Sequence, residues 1–91
     1  PPARAYNAAG QAGQDPVIVV TSDGTLRLIL ARDRDGNQTY DEVVEVTSRD
    51  GDTWSSPRVV LSLPLPGPAQ ISTLDAAAAG GDVYVVTSVL V

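Results

Sequence analysis

Short runs of Val, Ile, Leu and Thr, each cut off by Asp-Gly or Pro, dominate this chain from Val17 onward. Branched side chains fit a pleated, half-buried surface, whereas Gly and Pro end it. That punctuation leaves no room for a long amphipathic helix and sets the fold class as all-β, with antiparallel sheets of about six short strands. The expected strands are 17–22, 25–32, 40–48, 57–63, 69–74 and 82–91. Asp23-Gly24 links two apolar runs, the strongest short hairpin signal. In the second strand Leu26, Leu28 and Leu30 share one face, and Thr25, Arg27 and Ile29 take the other. Pro64, Pro66 and Pro68 should stop the fourth strand and form a stiff bridge. Only DAAAAG, residues 75–80, offers a single helical turn.

Residues 1–14, PPARAYNAAGQAGQ, are small, polar and without clear periodicity, and read as an N-terminal arm ahead of a β-domain spanning 15–91. A start on Pro1-Pro2, with no initiator Met and no signal peptide, reads as a processed or excised product. A faint internal echo links SDGTLRLIL to GGDVYVVTS. Each puts a Gly turn before an apolar strand, at an offset of 57 when Thr25 is set on Asp82.

At 91 residues the chain suffices for one small domain with a thin stability margin. With one Trp, three Tyr and no Phe, its core has to come from Val, Leu, Ile and Ala. All six cationic residues are Arg, and His, Cys and Met are absent. Disulfide, thiolate and imidazole chemistry are therefore excluded. A net charge of −5 with no basic cluster argues against nucleic acid as a partner. No run reaches the apolar length of a membrane helix, so no membrane span is expected.

The residues with the most specific pattern are Ser48, Asp50, Gly51, Thr53 and Trp54, in SRDGDTWSSP. An Asp can accept hydrogen bonds from turn amides, and a Gly permits positive φ. Trp54 supplies a large apolar plug for such a turn to pack over. Residues 15–63 resemble one blade of an Asp-box (BNR) β-propeller, as found in sialidases and related glycan-binding proteins. The family's box is S-x-D-x-G-x-T-W, and here one residue between the Asp and the Gly is absent. The resemblance implies a hairpin turn between the third and fourth strands of a blade, structural in role and away from any catalytic centre. It also implies an architecture of one to one and a half propeller-like blades, with residues 69–91 as a second half-blade; a small β-sandwich is the alternative. Arg32 resembles an arginine after the second strand of a first sialidase blade. The rest of the family's arginine triad and its nucleophile pair have no match here, and a propeller takes 4–8 blades, so a complete sialidase is excluded by length.

Loop 33–42, DRDGNQTYDE, carries two competing signals. Asp33, Asp35, Asn37 and Asp41 alternate like a calcium loop, where hard cations take oxygen ligands, and calcium is the one cofactor the chain could hold. The usual Gly is replaced by Gln38, and the closing acid by Val44, which fits a solvated acidic loop instead. Asn37-Gln38-Thr39 is also an N-glycosylation sequon. Asp41, Glu42 and Glu45 could be nominated as acid pairs for glycoside hydrolysis, although a solvated strand face explains them better.

Three whole-protein readings follow, one of them a self-contained β-sandwich of six strands that binds a carbohydrate or protein partner. Another is a non-catalytic extracellular or cell-surface structural subunit that self-assembles, its partners copies of itself joined by strand pairing. DVYVVTSVLV is apolar on both faces, an aggregation hazard unless covered. The third is a fragment of a sialidase-like Asp-box propeller that binds or hydrolyses glycans.

Overall fold

The computed structural model describes residues 13–34, 36, 38–64 and 67–91. They form six strands and no helix: β1 Gly13–Val20, β2 Leu26–Arg32, β3 Glu42–Ser48, β4 Arg58–Ser62, β5 Gln70–Ala79 and β6 Asp82–Leu90. The first four make one antiparallel sheet in the order β1-β2-β3-β4, and β5-β6 make a second. The expected all-β class, with about six short strands, is the one observed.

Two elements differ from expectation. β1 begins at Gly13, ahead of Pro16, and takes in the last two residues assigned to the N-terminal arm; residues 1–12 lie outside the described residues. A proline fits there because β1 is an edge strand and its register against β2 shifts between Gln14 and Val17. DAAAAG does not turn into helix. Asp75 to Ala79 continue β5, each paired with a residue between Val86 and Asp82. An alanine run's helical preference is weak, and a ladder to a strand-forming partner overrides it.

The two sheets meet face to face. Ile29, Ala31, Val43 and Ile71 form a buried cluster, with Tyr40, Leu63, Leu74, Ala76, Val83 and Val85 packed against it. Ile29 and Val43 are fully buried, each contributing about 1.5–3 kcal/mol relative to exposure. The inter-sheet contact runs chiefly along β1 and β5. At the lower end Leu63 N–H donates to Asp41 O at 2.8 Å and Ile71 N–H to Tyr40 O at 2.7 Å. These two bonds lead the chain from one sheet to the other.

The faces turned away from this core differ: the larger sheet's is covered over β2 and β3, and the smaller sheet's sets Asp75 across from Val86 and Thr73 across from Ser88. On the far side of the larger sheet Leu30, Val44 and Val46 are buried, while Ile18 is 58% and Val20 59% exposed. On the far side of β5-β6, Tyr84 is 58% and Val86 69% exposed.

Candidate functional site

The segment after β3 folds as a turn organised by one carboxylate. Asp50 Oδ1 accepts from Asp52 N–H and Thr53 N–H, both at 2.8 Å, and from the Ser48 hydroxyl at 3.1 Å. Ser48, itself buried, accepts in turn from Gly51 N–H at 2.8 Å. Gly51 takes φ 76, a conformation that a side chain disfavours. Ser55 closes the hairpin, its N–H donating to Thr47 O and its hydroxyl accepting from Thr47 N–H. The Asp50 carboxylate and the Ser48 hydroxyl are bonded to groups of the turn itself, which suits a structural role. The turn lies between the third and fourth strands of a four-stranded meander.

The neighbouring β1–β2 turn uses the same device. Asp23 Oδ1 accepts from the Thr21 hydroxyl at 2.7 Å and from Thr25 N–H at 3.0 Å, and Gly24 has φ 86. The two turns share an end of the sheet, with Arg49 Nη2 3.8 Å from Asp23 Oδ2. The Thr21 hydroxyl, then the Thr25 amide, lower the Asp23 pKa from 3.8 to about 2. The Thr53 amide, then that of Asp52, hold Asp50 below the ordinary carboxylate range. Because both folded values are depressed, their stabilisation is present above the unfolded carboxylate pKa. It is lost as pH falls through the folded value, for Asp23 between about pH 4 and 2. Asp23→Asn should flatten that acid limb, as read from melting temperature against pH; an unchanged limb would place acid sensitivity elsewhere.

Trp54 is partly buried, with its indole nitrogen shielded from solvent. It lines an open groove of about 510 Å³ together with Thr25, Arg27, Arg49 and Thr53. A volume of that order matches small-molecule pockets.

At the other end of the sheet the acids are not solvated. Asp41, Glu42 and Glu45 are buried at 0%, 4% and 5% exposure. Each is charge-paired, which is what keeps a carboxylate tolerable inside. Arg34 N–H and Nε–H donate to Asp41 Oδ1 at 3.1 and 3.0 Å, and its Nη2 donates to Leu63 O. Arg32 donates to Glu42 Oε1 at 3.0 and 2.6 Å. Arg27 at 3.3 Å and Arg58 at 3.0 Å share Glu45 Oε1. The expectation of a solvated strand face is therefore corrected: these carboxylates fasten β2, β3 and β4 to one another. Glu42 and Glu45 also point to opposite faces of β3, three residues apart.

Of the calcium-loop residues, Asp33 accepts from Gly36 N–H at 2.9 Å and Gln38 N–H at 2.8 Å, and Asp41 carries Arg34. Asp35 and Asn37 lie outside the described residues, and with them the glycosylation site. Among the described residues no three His, Cys, Asp or Glu side chains gather as a metal site. No helix among them is long and apolar enough to cross a membrane. Sequence reasoning found the turn through its residue types, but missed the Arg–acid pairs, because pairing depends on cross-strand register. The only sequence signal for them is the five arginines spread through β2, loop 33–42, the β3–β4 turn and β4.

Comparison of the chain with protein-family models, with curated proteins and with solved structures finds no match.

Proposed function

We propose that this chain is a non-catalytic structural β-unit of the Asp-box propeller type, acting outside the cell or at its surface, whose sheets are completed by stacking on further sheets. One observation carries the reading. Large apolar side chains stand exposed on both sheets, Ile18 and Val20 on β1, Val59 and Leu61 on β4, and Tyr84 and Val86 on β6. Apolar patches of that kind mark interaction surfaces. The position of the 48–54 turn in the meander, and its internally satisfied hydrogen bonds, support the Asp-box part of the reading. The fastening of Asp41, Glu42 and Glu45 to arginines supports a structural role for those acids in place of general acid and base. The edge strand β4 leaves Val59, Val60 and Leu61 exposed, so edge-to-edge pairing with a second copy is supported as well as stacking.

A second reading, contact with glycans, draws on the groove beside Trp54. Trp54, Arg27 and Arg49 line it together with Thr25, Thr53 and Ser55, residue types suited to a saccharide ring.

The structural reading is tested by sedimentation of the chain beside a Tyr84→Lys, Val86→Lys double variant. The unaltered chain should gain mass with concentration, and the variant should stay at its 9.4 kDa monomer mass. An unaltered chain that remains monomeric at the highest concentration reached would remove the reading.

A further inference from the structure

The edge strands of a sheet leave backbone groups unpaired, and among the described residues all but one of these edges are blunted. β1 carries Pro16, and the ladders place an extra residue in β1, in β4 and in β5. β6 alone runs regular from Asp82 to Leu90, with no proline and a single charge, Asp82. Its nine residues offer about 30 Å of open ladder.

The larger sheet shows what completes such an edge. At the offset of 57 seen in the sequence, Gly24 falls on Gly81, and both take φ 86. β6 thus stands to β5 as β2 stands to β1, each the second strand of an antiparallel hairpin. β2 has β3 on its other side, whereas β6 has no strand there among the described residues. That side faces β4. The smaller sheet lies chiefly over β1, and every residue of β4 is exposed. Val83, Val85, Arg58 and Val60 bound a pocket of about 220 Å³ between β6 and β4.

Carrying the β2–β3 register across the offset sets Ser48 opposite Val83, Val46 opposite Val85 and Val44 opposite Thr87. Directly opposite residues share a face, so a strand of this pattern turns its valines inward beside Val85, toward Val60. One step further, Arg49 falls opposite Asp82, the one charge on the edge.

We infer that the free edge of β6 is a strand-addition site for an extended segment of another polypeptide. The segment runs antiparallel to Asp82–Leu90, with β-branched apolar side chains toward β4 and a cation opposite Asp82. Main-chain hydrogen bonds supply the affinity, and the alternate side chains the selectivity. The site goes beyond the stacking proposed above and uses backbone groups that stacking leaves free.

A fluorescent peptide with the sequence of residues 42–49, EVVEVTSR, tests this by anisotropy as the full chain is added. Binding should saturate, and Asp82→Asn should weaken it several-fold. N-methylation of alternate peptide amides removes donors from one edge of the peptide only. One alternating series should therefore abolish binding, and the other should leave it nearly unchanged. Equal binding by the two series, or none by the unmodified peptide, would overturn the inference. An unchanged affinity in Asp82→Asn would overturn the register. Sedimentation of the mixture should show one chain with one peptide; paired chains would assign the edge to a second copy and overturn the proposal.

Discussion

Ile29→Ala should cost about 2–5 kcal/mol, the range for truncating a buried aliphatic side chain and leaving a cavity. Ile29 is fully buried where the two sheets meet, between Ala31 and Val43 on its own sheet and the Val85 side of the other. For a small domain whose whole stability is on the order of 5 kcal/mol, the upper part of that range unfolds much of the population at room temperature. Urea unfolding of the variant should show a lower midpoint with an unchanged slope. Ile18→Ala, equally apolar but 58% exposed, should change the midpoint little at concentrations where the chain is monomeric. Equal losses at the two sites would mean that the sheet-on-sheet contact is not the core.

The second large effect is expected at Arg34. Its guanidinium supplies the one charge on Asp41 Oδ1, while Asp41 Oδ2 is buried with no partner among the described residues. Arg34→Gln leaves a fully buried carboxylate without a cation. Breaking a buried pair costs about 3–5 kcal/mol, reduced here to about 2–4 because Arg34 keeps 31% exposure and its half of the pair is partly hydrated. Asp41→Asn in the Arg34→Gln background should recover part of the loss, since the uncompensated charge is gone. Thermal melts of the two variants read this directly. A double variant no more stable than Arg34→Gln would assign the cost to the lost Leu63 contact instead.

How much of this molecule its sequence discloses depends on the range of the interaction. Strands β2, β3 and β4 fall within two residues of expectation because Asp23-Gly24, Asp50-Gly51 and Pro64 mark their ends locally. The turn at 48–54 is equally legible, since Ser48, Asp50 and Gly51 satisfy one another across three residues. Legibility fails where a distant partner decides. Ala76–Ala79 offer a helical turn until Asp82–Val85 pair with them, and the first strand's start at Gly13 shows only once β1 proves to be an edge that admits Pro16. Asp41, Glu42 and Glu45 look like solvated acids because nothing nearby in sequence says that register sets Arg27 and Arg58 around Glu45.

The strand order of the larger sheet bears on how quickly the chain acquires its structure. In β1-β2-β3-β4 every hydrogen-bonded neighbour is also the next strand in sequence, and β5-β6 repeats that rule. No crossover has to be threaded, and each pairing closes only a short loop. Hairpins form in about 1–10 μs, and chains dominated by such local pairings fold faster than β-topologies built on distant ones. The meeting of the two sheets around Ile29, Val43 and Ile71 closes a longer loop than any of these strand pairings. Until it is made, both faces of each sheet are bare, and crowding by other chains competes with folding at that stage.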